Sequence, residues 1–282
     1  MISFLSQCYQ RTKINGIFSP VLPVSSGVPQ GGNLSPLLFL FFINDLVQCP
    51  NTEIIKFADD TTFLVKHHKD EKVDYVNTVV NHMKNWCNIN QIKLNEKKTQ
   101  IITIKKDRSC IKYKLERQRS MKILGITITD NLKWDEHVEN IIKKSSARLH
   151  LLRSVKPILS KCQLRSIYFG LVDSIQSYCS PAFVNLPKKL AKQLETTSNR
   201  AHKIICPYNC PNQCIPSPTS RRKHYSLTVL NKIFHKDHIL HDIAPNILQR
   251  TRQINIEVAT TQRRLSQFIP YTSLLHNGIF ID

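Results

Sequence analysis

Residues 53–65 constrain this chain more than any other stretch. They read Glu-Ile-Ile-Lys-Phe-Ala-Asp-Asp-Thr-Thr-Phe-Leu-Val, two apolar runs separated by adjacent aspartates. Ile54, Ile55 and Phe57 on one side, and Phe63, Leu64 and Val65 on the other, are residue types that strands favour, and aspartate suits a tight connection. A β-hairpin is therefore predicted, with Asp59 and Asp60 at its tip. Adjacent carboxylates repel each other, and a hard cation such as Mg²⁺ relieves that repulsion. A solvated Asp-Asp turn accounts for the same residues without a metal. What lies nearby in the chain decides between the two.

The preceding motif is Gly-Val-Pro-Gln-Gly-Gly-Asn-Leu-Ser-Pro, residues 27–36. Three glycines and Pro29 predict a loop whose backbone approaches a ligand closely, although glycine-rich loops also serve as plain connections. Ser35 is the expected N-cap of a following helix and Pro36 its first residue. Residues 37–47 are apolar on nearly every side, which predicts a buried helix that mounts the loop on core.

The chain has 282 residues and 41% hydrophobic content, enough for one large or two medium domains. Forty Lys and Arg stand against twenty Asp and Glu, a net charge of +20 with pI about 9.7. A twofold cationic excess spread over this length favours a polyanionic partner, nucleic acid before membrane surface. Nine cysteines, an odd number scattered without a signal-peptide pattern, predict reduced thiols in an intracellular protein of nucleus or cytoplasm, not a secreted one. The longest apolar run, residues 37–43, is far shorter than a membrane span requires.

Along the rest of the chain, Asn15-Gly16 between Ile14 and Ile17 predicts a short hairpin. Val76, Val79, Val80, Met83 and Trp86 recur at helical spacing. Residues 101–104 and 123–128 are strand candidates separated by a basic stretch, 105–119, which reads as a phosphate contact or a solvated loop. From Asp130, an expected helix cap, the period turns helical through Trp134, Val138, Ile141, Ile142, Leu149 and Leu152 as far as Pro157. Further helices are predicted over residues 160–176, from about Pro187 through Ile205, and over 225–248. His202, Cys206, Cys210 and Cys214 recur every four residues, but they lack a Cys-x-x-Cys clip and prolines interrupt them, so zinc is not expected and residues 206–220 read as a linker. The last thirty or so residues carry no periodicity.

With these residues in view the chain resembles a known family. Gly-Val-Pro-Gln-Gly-Gly-Asn-Leu-Ser-Pro-Leu-Leu-Phe, then Ile43-Asn44-Asp45-Leu46, then Phe57-Ala58-Asp59-Asp60, is similar to the reverse transcriptase of non-LTR, jockey-like (LINE-type) retrotransposons. Trp86, Asn90 and Leu94-Asn95-Glu96-Lys97-Lys98-Thr99 resemble its next palm motif. Lys122-Ile123-Leu124-Gly125-Ile126 with Leu132, Trp134 and His137 resembles its primer-grip hairpin and the start of its thumb. A looser likeness continues through Leu164-Arg165-Ser166-Ile167-Tyr168 and Tyr178-Cys179-Ser180-Pro181-Ala182.

The resemblance implies an α+β fold: a partial polymerase palm, antiparallel sheet with helices and fingers largely missing, followed by an α-helical thumb-like domain. It divides the chain into palm with glycine-rich loop and Asp-Asp hairpin (1–107), primer-grip-like hairpin (108–130), thumb-like helices (131–205) and linker with C-terminal region (206–282). Only 26 residues precede Gly27 and none is acidic, so the family's upstream palm aspartate is expected to be missing, as in an N-terminally truncated copy. The implied activity is RNA-directed DNA polymerisation from deoxynucleoside triphosphates on an RNA template and DNA primer, by a two-metal nucleotidyl transfer. Asp59 and Asp60 are the implied catalytic ligands of Mg²⁺, with Mn²⁺ as substitute. Gln30 and Gly31 are the implied template and nucleotide contacts. Lys98 is the implied catalytic cation near the phosphates, or else a solvated lysine in the run 96–98. The alternative is a catalytically inactive remnant that binds nucleic acid.

Overall fold

The computed structural model of the chain describes residues 8–24, 26–29, 31–46, 49, 51–66, 75–104, 117–206 and 215–243. The chain divides into two compact units, residues 1–101 with 109–117, and residues 102–108 with 118–282. Both mix helix with small antiparallel two-stranded sheets or consist largely of helix, an α+β composition.

The first unit opens on a ribbon of four two-residue strands. β1 (Tyr9–Gln10) pairs with β4 (Leu22–Pro23), and within that loop β2 (Lys13–Ile14) pairs with β3 (Ile17–Phe18). Asn15 and Gly16 make the turn, both with positive φ, as the Asn-Gly dipeptide predicts. Helix α1 (Ser35–Ile43) follows the glycine-rich loop, then hairpin β5 (Thr52–Phe57) and β6 (Asp60–Val65), then helix α2 (Tyr75–Ile89). The core between them is Ile43, Leu46, Trp86 and Cys87, with Phe39, Phe63, Met83, Ile92 and Leu94 packed against it. Phe42 meets Trp86 edge-on at 5.9 Å.

Two expectations for α1 are corrected. Ser35 is not the N-cap: the helix begins at Ser35 itself with Leu34 in the cap position, and the Ser35 hydroxyl donates to the Pro29 carbonyl instead. Nor is α1 buried all round. Leu37, Leu40, Phe41 and Phe42 stay exposed because a single layer of core covers only the side carrying Ile43 and Phe39.

In the second unit, β9 (Ser120–Ile123) and β10 (Ile126–Thr129) form a four-pair hairpin, preceded in the chain by the two-residue strands β7 (Ile101–Ile102) and β8 (Arg117–Gln118). Leu124 and Gly125 make its turn with positive φ. Helix α3 (Asp135–Val155) begins four residues later than a cap at Asp130 predicts, with Trp134 in the cap position. Thr129 accounts for the delay: its hydroxyl bonds the Lys133 carbonyl and Asn131, holding 129–133 as a turn, while Asp135 and Glu136 occupy the positive end of the helix.

Ser160 and Gln163 form a reciprocal capping box at the start of α4 (Lys161–Tyr168). The predicted single helix over 160–176 widens into a π-turn at Phe169–Asp173 before α5 (Ser174–Ser177). Arg148 donates to the Leu171 carbonyl in that turn at 3.0 Å. Helix α6 (Lys188–Ile205) lies where Leu190, Leu194, Ala201, Ile204 and Ile205 place it, and all five are buried. Helix α7 (Pro218–Ile233) starts before Tyr225, capped by Ser217, with Thr219 N–H donating to Glu195 at 3.0 Å. Two apolar clusters hold the bundle: one around Leu152, Tyr168, Val172 and Ala201, the other around Val138, Phe183 and Leu194.

The zinc-spacing residues divide. Cys206 is buried in the first cluster, whereas Cys210 and Cys214 lie outside the described residues. Among the described residues no three His, Cys, Asp or Glu side chains gather as a metal site, and no helix is long and apolar enough to cross a membrane.

Candidate active site

Six residue pairs, from Thr52 with Val65 to Phe57 with Asp60, fix the register of the β5–β6 hairpin. The turn is therefore the dipeptide Ala58-Asp59, and Asp60 opens the second strand. Both carboxylates are exposed. Ala58 has φ of 51°, a left-handed conformation that costs a residue with a Cβ about 1 kcal/mol. Alternation along β5 leaves Glu53, Ile55 and Phe57 exposed and turns Thr52, Ile54 and Lys56 toward cover.

Lys56 is the residue that sequence reasoning passed over. Its ammonium donates to the Ile43 carbonyl at 2.9 Å and to the Asn44 carbonyl at 3.2 Å, the last acceptors of α1. A cation at the negative end of a helix satisfies carbonyls that have no partner within the helix. It also ties the strand that carries the aspartate turn to the helix that carries the glycine-rich loop. The available signal was a lysine on the covered side of an alternating strand.

The loop and the turn face one space. Val28, Pro29, Gly31, Gly32, Asn33, Ser35, Pro36 and Phe39 line an open groove of about 700 Å³ together with Ala58 and Asp59. Gly31 has φ of +83°, and a Cβ there would meet nothing within 4 Å. Glycine is needed at this position for its backbone angle and not for room. The loop closes on itself through Gly32 N–H to Pro29 O at 3.4 Å and Ser35 N–H to Gly32 O at 3.2 Å. Gly31 and Asp59 are thus brought together, Asp60 follows Asp59 in the chain without lining the groove, and Gln30 lies outside the described residues.

Lys98 occupies an exposed turn, its N–H bonded to the Asn95 carbonyl at 3.1 Å, and does not line the groove. Its neighbour Glu96 is paired with Lys84 at 2.7 Å, and the hydrogen bond from Lys84, helped by its charge, holds the Glu96 carboxyl below the usual range. Elsewhere in this unit, burial pushes the Cys49 and Cys87 thiols up, so both are core and neither is an activated nucleophile.

As a donor set, adjacent exposed carboxylates with open space beside them fit a hard divalent cation that keeps water or takes phosphate oxygens for its remaining positions. No third acidic side chain joins them among the described residues.

In the second unit, Tyr178 donates from its hydroxyl to the Leu124 carbonyl at 2.7 Å. The same ring is the nearest neighbour, at 3.4 Å, of a Cβ placed on Gly125. Tyr178 thus braces the β9–β10 turn at both of its residues. His137 is buried, its Nδ1 accepts the Thr127 N–H at 3.3 Å, and its ring packs against Trp134 and Phe183. Burial, reinforced by the Lys144 charge, lowers its pKa. Residues 105–116, most of the basic stretch before β9, lie outside the described residues.

Residues 2–128 match the family model described as reverse transcriptase (RNA-dependent DNA polymerase). The chain is 28% identical to the "RNA-directed DNA polymerase from mobile element jockey" of Drosophila melanogaster, over 49% of this chain and 17% of that protein. It is 24% identical to the "Probable RNA-directed DNA polymerase from transposon BS" of the same fly, over 73% of this chain and 25% of that protein. The chain thus spans a quarter or less of the length of these curated relatives.

Proposed function

We propose, from the match of residues 2–128 to the reverse transcriptase family model and the similarity to two mobile-element polymerases, that this chain is part of an RNA-directed DNA polymerase. The observation that carries the reading is the groove shared by Gly31 and Asp59, because template-directed transfer needs a close backbone surface beside its cation-binding carboxylates. Asp59 and Asp60 hold divalent cations, Mg²⁺ or Mn²⁺. When bound, such ions neutralise the triphosphate and lower the cost of ionising the primer hydroxyl. Gly31 gives the nascent base pair a backbone surface without a side chain, and Gln30 adds an amide beside it. Lys98 supplies a cation toward the incoming nucleotide's phosphates. Lys56 holds the aspartate turn at a fixed distance from the loop.

Residues 1–107 serve as the palm-type part and the β9–β10 turn, braced by Tyr178, as the primer-grip-like hairpin. The helices over 131–205 serve as the thumb-like part, with residues 206–282 beyond it. Lys143, Lys188, Lys189, Lys192, Arg200 and Lys203 are exposed on those helices and suit the phosphates of a template–primer duplex without reading sequence.

Primer extension tests the reading. The purified chain, given a DNA primer on an RNA template with Mg²⁺ or Mn²⁺, is expected to add deoxynucleotides. Asp59→Ala and Asp60→Ala are expected to abolish addition while template–primer binding stays within about twofold, since the carboxylates hold cations and make no phosphate contact of their own. Addition that survives both substitutions, or intact binding without any addition, overturns it.

A further inference from the structure

The ribbon of residues 8–24 has no part in the proposed chemistry, yet its two faces differ sharply. Pairing of Lys13 with Phe18 and of Ile14 with Ile17 puts the first pair on one side of the pleat and the second on the other. On the first side the Arg11 guanidinium lies 4.0 Å from the centre of the Phe18 ring and the Lys13 ammonium 5.0 Å from it. Phe18 nevertheless keeps 47% of its surface exposed, so a cation shelters part of the ring and the rest is open. Tyr9 is 65% exposed on the same ribbon. Residues 8–24 contain two cations and no acidic residue. The Thr12 N–H to Ser19 Oγ bond at 2.9 Å and the Ser19 N–H to Thr12 carbonyl bond, also 2.9 Å, carry the pairing past β2 and β3 and fix the presentation.

We propose that this cationic and aromatic face binds the unpaired part of a nucleic-acid strand. Arg11 and Lys13 take backbone phosphates, and an unpaired base stacks on the open part of the Phe18 ring. A single strand fits better than a duplex because stacking on a side chain requires a base whose π-face is free, and such stacking tolerates any sequence. Charge complementarity selects the partner: two cations on a ribbon with no acidic residue of its own favour a polyanion over a protein surface. Identifying the strand as the RNA template ahead of the growing duplex rests on the polymerase reading above; the binding itself does not.

The test uses the full chain without nucleotides. Fluorescence anisotropy compares a blunt RNA–DNA duplex with the same duplex carrying a single-stranded RNA extension of about eight nucleotides, within the usual footprint of single-strand sites. Phe18→Ala is expected to weaken binding of the extended probe about tenfold, a typical loss for one stacked base, with the blunt probe within about twofold. Phe18→Trp, which keeps a ring, is expected to bind like the parent chain and controls for folding. Arg11→Gln combined with Lys13→Gln is expected to flatten the log–log salt dependence on the extended probe by about 1.4, or 0.7 per released single-strand counterion. Parent-like binding by Phe18→Ala overturns the inference, as does an equal loss on both probes. A loss in Ile14→Ser equal to that in Phe18→Ala also overturns it, by moving the contact to the apolar face. The expected pattern in a chain that fails primer extension keeps this inference and refutes only the polymerase reading.

Discussion

Arg221 and Asp173 form an ion pair inside the helical unit, each side chain about 10% exposed. Asp173 closes the π-turn and also accepts from Ser177 at 3.1 Å. Arg221→Met keeps most of the buried stem volume and removes the charge. The Asp173 carboxylate keeps the Ser177 hydroxyl, in a site nearly closed to water, and breaking a buried pair from one side costs about 3–5 kcal/mol. Slight exposure of both partners argues for the lower half of that range. For a unit of this size each kcal/mol lowers the melting temperature by about 2–4 °C, so a fall of about 10 °C is expected in thermal melts followed by circular dichroism. Asp173→Asn placed in the Arg221→Met background removes the stranded charge and keeps an acceptor for Ser177, so it is expected to recover at least half of the loss. The double-mutant cycle isolates the pair from the packing lost with the arginine stem. An Arg221→Met chain less than about 1 kcal/mol below the parent, or a double variant worse than the sum of the singles, would refute the account of a buried, mutually dependent pair.

Two further outcomes are expected. His137 has a folded-state pKa below its ordinary 6.5, so as pH falls the unfolded chain takes up its proton first. The stability it contributes is complete above the unfolded pKa and is lost as pH drops from there toward the lower folded value. Thermal melts between pH 7.5 and 5.5 should show a steeper decline for the parent chain than for His137→Gln, and equal slopes would sink the idea. Lys56→Met leaves the Ile43 and Asn44 carbonyls without their ammonium and is expected to cost about 1–2 kcal/mol, discounted for partial exposure. Hydrogen exchange should then rise at both the end of α1 and the β5–β6 turn, and a rise at only one of them would refute the tether.

What could be read directly from the sequence was local. The Asn15-Gly16 turn, the Ser160 start and the 188–205 helix each follow from neighbours within a few residues and form where the pattern puts them, and the β5–β6 hairpin forms with its turn shifted by one residue, from Asp59-Asp60 to Ala58-Asp59. Misplaced features needed information from farther away. Asp130 looks like a cap until Thr129 is seen to satisfy the same turn from the strand side. Residues 37–43 look buried because hydrophobicity reports what a helix tolerates and not how much of it a given unit covers. Ser35 spends its hydroxyl on the loop, a choice made by the fold of residues 29–35 and invisible in the helix pattern.

The site divides along the same line. The candidate residues and their order could be read from the sequence, because Asp59, Asp60 and Gly31 belong to short motifs carried by residue identity, and the structure brings Gly31 and Asp59 to one groove. The parts that hold those motifs in place were not. Lys56 reaches thirteen residues back to a helix end, and Tyr178 reaches fifty-four back to the Leu124 carbonyl. Neither has a signature in its own neighbourhood. Tyr178 caps the end of α5, five residues beyond Asp173, so the buried Arg221 pair and the contact that braces the β9–β10 turn lie on one short stretch of chain. Loss of the ion pair is therefore expected to raise hydrogen exchange at the β9–β10 turn as well as to lower the melting temperature, and exchange there unchanged in Arg221→Met would refute the link. Positional precision in this chain comes from single long-range polar contacts laid over locally specified elements, and substitutions at those contacts should alter geometry before they alter the fold.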